Sequence, residues 1–326
     1  MDLTLTIETW PVEGVFRIAR REATTTDVLV VTLSEGHATG RGECGPIARY
    51  GETVESCKEQ INTLRRDIEA GMDPHLLQQI LPPGAARNAL DCALWDLRAK
   101  QANIPVWQLA GLEEPGPVTT AFTISVDTPE KVLDAVEAAA HLPLLKIKLA
   151  GDEHDLTRVR VARAAAQQSR LIIDANEAFT VEGLAELLPT LISLQVEMIE
   201  QPLPAGDDDA LERLRSPIPI CADESCHLDE DLSVLAERYD AINIKLDKTG
   251  GLMAALDLRA RAEAAGLKVM VGCMLGTSLA MAPAHLLAQG ADWVDIDGPL
   301  LLAEDREPGM VYRHGIVLPP DRELWG

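Results

Sequence analysis

The feature that most constrains this chain is a series of short apolar, β-rich segments that recur at even intervals and end in polar residues: TTAFTIS, LLKIKLA, RLIIDAN, EMIEQP, IPICADE, AINIKL, LKVMVG and DWVDID. Ala-, Leu- and Glu-rich stretches of helical character separate them, so the pattern predicts eight strands alternating with seven helices. Marked by Lys146, Asp174, Glu200, Asp223 and Lys245, the strands return every 22 to 28 residues. Repeated βα units of that length imply a parallel sheet, and eight of them favour closure into a barrel. The repeat over residues 113–301 contains no GxGxxG loop to support an open dinucleotide-binding sheet. The predicted fold class is therefore α/β, a modified TIM barrel of (β/α)7β type over residues 113–301.

Residues 1–112 lack this repeat. Stretches such as LTLTIETW and DVLVVTL alternate as antiparallel strands do, while VESCKEQINTLRRDIEAG and AARNALDCALWDLRAKQANI read as helices. An α+β capping domain is predicted, ending at the Pro/Gly cluster GLEEPGPV. The segment 302–326 contains HGIVLPP, read as a final strand that returns to the capping domain and completes it.

A formal charge of −23 repels phosphate backbones and anionic membranes, and no basic run offers a local exception, so neither nucleic acid nor membrane is an expected partner. The opening MDLTLTIETWPVEG has neither a basic nor an apolar leader region, and no stretch nears the length of a membrane span, which makes the cytoplasm the expected location. Six scattered cysteines read as reduced core thiols, and Cys221, Cys226 and His227 lack the spacing of a zinc site. A homo-oligomer is expected, as is common for barrels.

Barrels of this kind carry their chemistry at the C-terminal ends of the strands. On LLKIKLA, Lys146 and Lys148 are two apart and share a face. A single strand lysine normally snorkels to solvent; a pair within an apolar strand does not. The next three strands end in Asp174, Glu200 and Asp223, one carboxylate each. Each alone fits a helix N-cap, but three in succession fit a site for a hard cation, and an all-oxygen donor set suits Mg²⁺. Lys245, on AINIKL, lies about halfway around the barrel from Lys148. Two ammonium groups on opposite faces suit removal and return of a proton next to a carboxylate, with the cation absorbing the charge that develops as an enediolate forms. Crowding of Lys146, Lys148 and a divalent ion is expected to lower the lysine pKa values.

KIK at 146–148, DAN at 174–176, EQP at 200–202, ADES at 222–225 and NIKLDKTGG at 243–251 resemble the enolase superfamily, muconate-lactonizing subgroup, over essentially the whole chain. The resemblance implies Lys148 and Lys245 as the acid/base pair, with Lys146 assisting electrostatically. It also implies that Asn176 and Glu224 stand behind the ligands and orient them or Lys245.

Strand eight, DIDGPLLL, puts Asp295 and Asp297 on one face. Two anions in a pocket that already receives a carboxylate call for a cationic partner, such as a substrate ammonium. An ammonium at one end and a carboxylate at the other describes a dipeptide, and the DxD pattern is similar to that of dipeptide epimerases. That resemblance implies a small-molecule substrate such as L-Ala-D/L-Glu. It places an arginine of a first-domain loop against an acidic side chain: Arg21, with Arg20 adjacent, and Thr123 in the same pocket. Where many dipeptide epimerases carry an acid before Thr after strand seven, this chain has Gly276 before Thr277. Racemisation of an N-acylated amino acid such as N-acetylglutamate would use Arg21 but leave Asp295 and Asp297 without a cation. A lyase or cycloisomerase, of o-succinylbenzoate synthase or muconate cycloisomerase type, has the same difficulty.

Overall fold

The computed structural model describes residues 1–228 and 231–326. Strands β1 (Asp2–Ile18), β2 (Arg21–Glu35) and β3 (Ala38–Cys44) form an antiparallel sheet in that order. Helices α1 (Val54–Thr63), α2 (Arg65–Glu69), α3 (Pro74–Ile80) and α4 (Ala85–Ala102) follow. The stretch expected as one helix over 54–71 is two, broken at Leu64, whose backbone (φ −99°, ψ 4°) leaves the helical range. β3 escaped the sequence reading because Gly40 and Gly42 interrupt its alternation. They are there because α4 lies directly on the strand: a Cβ at Gly42 would come 2.1 Å from Ala89 O, and one at Gly40 2.3 Å from Ala93 O. Leu29, Val31 and Leu33 of β2 meet Leu90, Leu94 and Leu97 of α4 in the capping-domain core.

After the short α5 (Val106–Leu109) and β4 (Val118–Thr119), eight strands build the second unit. They are β5 (Phe122–Ile124), β6 (Leu144–Lys148), β7 (Arg170–Asp174), β8 (Val196–Glu200), β9 (Ile220–Ala222), β10 (Ala241–Ile244), β11 (Lys268–Gly272) and β12 (Trp293–Asp295). All pair in parallel with their sequence neighbours, and Ala121 N donates to Val294 O at 2.8 Å, which joins the first strand's entry to the last strand and closes the barrel. The crossovers are α6 (Pro129–Ala139), α7 (Asp155–Ala165), α8 (Val181–Ser193), α9 (Leu232–Arg238), α10 (Leu246–Thr249) with α11 (Leu252–Ala264), and α12 (Ser278–Leu287). The helix expected between the fourth and fifth barrel strands is only a 3₁₀ turn, Asp209–Arg213. The seven-helix expectation is corrected there, in a segment interrupted by Pro202, Pro204, Gly206, Pro217 and Pro219.

Inside the barrel, side chains stack in layers, as the two-residue period of parallel strands requires. The lower layer is apolar: Ala121, Leu144, Ile172, Met198, Cys221, Ala241, Met270 and Trp293. Two residues further along each segment stand Thr123, Lys146, Asp174, Glu200, Asp223, Asn243, Gly272 and Asp295. The apolar floor thus carries a polar storey.

β13 (Tyr312–Arg313) and β14 (Ile316–Val317) form a small sheet with β4, so HGIVLPP does supply a strand, but not to the sheet of the capping domain. Beyond it the chain does reach that domain: Arg41 Nη2 donates to Leu324 O at 2.9 Å and Trp325 Nε1 to Cys92 O at 3.0 Å. All six cysteines are free thiols. No helix among the described residues is long and apolar enough to cross a membrane.

Candidate active site

Strand register assembles the site. Lys148 pairs with Asp174, Asp174 with Glu200 and Glu200 with Cys221, two residues before Asp223, so the three carboxylates stand side by side at the barrel mouth. Asp174 and Glu200 are fully buried and Asp223 nearly so. Among the described residues no three His, Cys, Asp or Glu side chains are gathered into a ready-made metal cage; the carboxylates instead alternate with ammonium groups. Lys146 Nζ lies 2.7 Å from Glu200 Oε2, 2.7 Å from Asp295 Oδ2 and 3.3 Å from Asp174 Oδ2. Lys148 Nζ donates to Asp174 Oδ2 at 2.5 Å and to Asn176 Oδ1 at 3.3 Å. Across the mouth, Lys245 Nζ donates to Asp223 Oδ2 at 2.7 Å.

Carboxylates from other strands dominate the electrostatics of Lys146 and Lys245. Burial pulls the Lys146 ammonium down, but Asp295, Glu200 and Asp174 outweigh it and hold the group well above the ordinary lysine value. Burial likewise lowers Lys245, and Asp223 with Glu200 overcomes it, raising the group. The shifts of Lys146 and Lys245 are thus set by burial and by carboxylates from other strands more than by their fellow lysines. Burial raises Glu200 to about 7, with Asp174 adding to the effect. For Asp174 burial is opposed by Lys148 and Lys146, which bring it to about 2.

Asp295 does not stand free for a substrate cation. Its Oδ2 faces Lys146, while its Oδ1 is buried with no hydrogen-bond partner among the described residues. Asp297 Oδ2 accepts from Thr123 N at 2.6 Å, and burial together with Asp295 raises its carboxyl to about 7. Thr123 thus meets the site through its amide. Glu224 Oε1 accepts from Asn176 Nδ2 at 3.3 Å and from Arg20 Nη2 at 2.6 Å.

The hairpin end between β1 and β2 reaches over this mouth, anchored where Arg17 Nη1 meets Asp127 Oδ2 at 2.7 Å. Arg21 is the first residue of β2 and not part of a loop. Arg20 is tied down by Glu177 and Glu224, and Arg49 by Glu177. Among the described residues Arg21 has no ion pair. It lines a cavity of about 440 Å³ together with Phe16, Ile18, Ile47, Tyr50, Lys148, Asp223, Lys245 and Leu275.

Four residues of the site escaped the sequence reading. Lys248 Nζ donates to Asp223 Oδ1 at 2.6 Å and Asp223 O at 2.5 Å; the spacing of three from Lys245 within one helical turn was the available signal. Asn243 Nδ2 donates to Glu200 Oε1 at 2.7 Å and sits two before Lys245, on the same face. Gln201 Oε1 accepts from Asp223 N at 2.8 Å and Ser225 N at 3.0 Å, fixing the ADES turn. Glu177, which holds Arg20 and Arg49, had no sequence signal. Gly272 supplies no side chain to the polar storey because Asn243 and Lys245 fill its place: a Cβ there would lie 2.6 Å from Asn243 Oδ1 and 3.0 Å from Lys245 Cε.

Residues 1–111 match the mandelate racemase/muconate lactonizing enzyme N-terminal domain, and residues 129–323 the enolase C-terminal domain-like family. An L-Ala-D/L-Glu epimerase of Escherichia coli is 46% identical over 94% of this chain and 96% of its own. An N-acetyl-D-glutamate racemase of a Pseudoalteromonas species is 45% identical over 92% and 95%. Among solved structures, an enolase family member from Agrobacterium tumefaciens with homology to dipeptide epimerases, holding sodium and L-Ala-L-Glu, superposes with a TM-score of 0.97 at 50% identity, covering 99% of each chain. A dipeptide epimerase from Methylococcus capsulatus complexed with Mg and L-Arg-D-Lys gives 0.91 at 31% identity, covering 99% of this chain and 98% of its own. Matched over both domains, the chain belongs to the enolase superfamily, in its mandelate racemase/muconate lactonizing branch.

Proposed function

We propose that this protein is an epimerase that moves a proton off and back onto the carbon next to a substrate carboxylate, and that its substrate is a dipeptide ending in an acidic residue, of the L-Ala-D/L-Glu type. The observation that carries the reading is the placement of Lys148 and Lys245 on opposite sides of one mouth, each hydrogen-bonded to a carboxylate of the same row. One lysine takes the proton from one face and the other returns a proton to the opposite face, which inverts the centre. Asp174, Glu200 and Asp223 fit a divalent cation, Mg²⁺, by their chemistry: three buried carboxylates from adjacent strands, an all-oxygen donor set. Bound there, the ion would stabilise charge developing on the substrate carboxylate as the proton leaves. The unpaired Arg21 guanidinium suits an acidic substrate side chain, and Asp297 suits the amino terminus.

A second reading is favoured by one observation. Lys146 already neutralises Asp295 and Thr123 N already occupies Asp297, which leaves little negative charge for an ammonium and suits an N-acylated glutamate. A library of dipeptides and N-acyl amino acids incubated in D₂O with Mg²⁺ separates them, because each true substrate gains mass at the abstracted carbon. Labelling of acidic dipeptides supports the first reading and labelling of N-acyl glutamate alone the second. No labelling in any member refutes both.

A further inference from the structure

One buried polar cluster beside the cavity takes no part in proton transfer. Glu43, near the end of β3, has a fully buried carboxylate that accepts from Thr277 N at 2.8 Å and Thr277 Oγ1 at 2.5 Å. Arg306, from the segment after the barrel, donates to Glu43 Oε2 at 2.8 Å through Nη2 and to Thr277 Oγ1 at 2.7 Å through Nε. The same Nη2 pairs with Glu8 of β1 at 2.6 Å, and the guanidinium lies over the Trp10 ring, 5.2 Å from the centroid. The capping sheet, the loop after β11 and the tail therefore converge on Thr277.

That loop, Cys273 to Thr277, is a wall of the substrate cavity, since Cys273, Met274 and Leu275 line it together with Lys245 and Arg21. It is gripped from both sides. A Cβ at Gly276 would lie 3.0 Å from Glu43 Oε1, so the Glu43 carboxylate fills the space where a side chain at that position would start. On the other side a Cβ at Gly298, the residue after Asp297, would meet Gly276 O at 2.9 Å. Displacing the carboxylate frees a loop that touches both the cavity and the turn carrying Asp297.

We infer that Glu43, braced by Arg306, is a positioning residue that fixes the Cys273–Thr277 wall and thereby sets how tightly the substrate side chain is held, without touching the reacting atoms. Gln at 43 keeps an acceptor for Thr277 N but loses the charge for Arg306 and the second acceptor for the Thr277 hydroxyl. Ala removes all of them.

The inference deepens the proposed function, and its first test needs no substrate. Hydrogen exchange read by mass spectrometry on peptides covering 272–281 should speed up about tenfold or more in Glu43→Ala and less in Glu43→Gln and Arg306→Met, with α4 and the barrel strands unchanged. Wild-type protection of that loop in all three variants, or loss of protection spread over both domains, overturns the inference. If Glu43→Ala does not fold, the Gln and Met variants carry the measurement. The second test uses the compound most rapidly labelled by the wild-type enzyme: KM should rise about tenfold with kcat within about threefold of wild type. An unchanged KM, or kcat falling in step with it, overturns the inference while leaving the proposed reaction intact.

Discussion

Asp247, in α10 just past Lys245, is a carboxyl group sealed at the junction of the two domains. Its Oδ1 accepts from Asn88 Nδ2 of α4 at 2.9 Å and from Gly45 N at 3.3 Å. Burial raises its pKa from 3.8 to about 8, with Glu52 and Glu43 adding to the rise and the Asn88 and Gly45 donors opposing it. The folded state therefore holds a proton that the unfolded chain releases above about pH 4. In that interval the native state binds more protons than the unfolded one, so stability falls as pH rises, by about 1.4 kcal/mol per pH unit. The full contribution is present below pH 4, is lost progressively up to about pH 8, and is constant beyond. Asp247→Asn keeps an oxygen acceptor for both donors and removes the titration. Relative to wild type it should be level near pH 4 and more stable by on the order of 4 kcal/mol at pH 7. Urea unfolding followed by tryptophan fluorescence at pH 5, 6, 7 and 8 reads the difference directly. Parallel pH profiles for the two proteins would show that Asp247 ionises as easily in the fold as outside it, and would refute the argument.

Lys148→Ala and Lys245→Ala should each lower epimerisation by about a thousandfold, while each retains solvent deuterium exchange from one substrate configuration, measured by mass and chiral chromatography. Full turnover in either variant would remove the two-base mechanism. Asp297→Asn should cut kcat/KM for dipeptides by about tenfold to a hundredfold while leaving Mg²⁺ affinity, measured by calorimetry, within about twofold. Lys248→Met leaves Asp223 Oδ1 without its buried cation and should destabilise the fold by about 3–5 kcal/mol, visible in the same urea titration. Chelation should abolish activity and added Mg²⁺ restore it.

The barrel and the placement of its charged residues were legible because both follow a short-range rule. A parallel strand alternates inside and outside, so Leu144, Lys146 and Lys148 had to share a face, and carboxylates at matching strand ends had to become neighbours. What sequence could not supply was the partner of each charge. Lys146 and Asp295 are 149 positions apart, and their 2.7 Å contact depends on barrel closure. For the same reason the expectation for Lys146 was incomplete: it counted Lys148 and a divalent ion but not Asp295 and Glu200, the carboxylates that arrive from other strands and raise it. Arg20 and Arg21 were indistinguishable as letters, and only Glu177 and Glu224 separate them, by holding one and leaving the other. β3 was hidden because its glycines answer to a helix some fifty residues away.

The cavity wall is divided between two stretches of chain, with Arg21, Ile47 and Tyr50 on one and Lys148, Asp223 and Lys245 on the other. Such a division lets selectivity and catalysis accumulate changes independently, and makes exchange of capping domains between relatives a route to new substrates. The exchange is not free. A grafted cap must also bring a carboxylate to Thr277 and an amide to Asp247, as Glu43 and Asn88 do here, so compatibility of a chimera depends in part on residues that never meet the substrate.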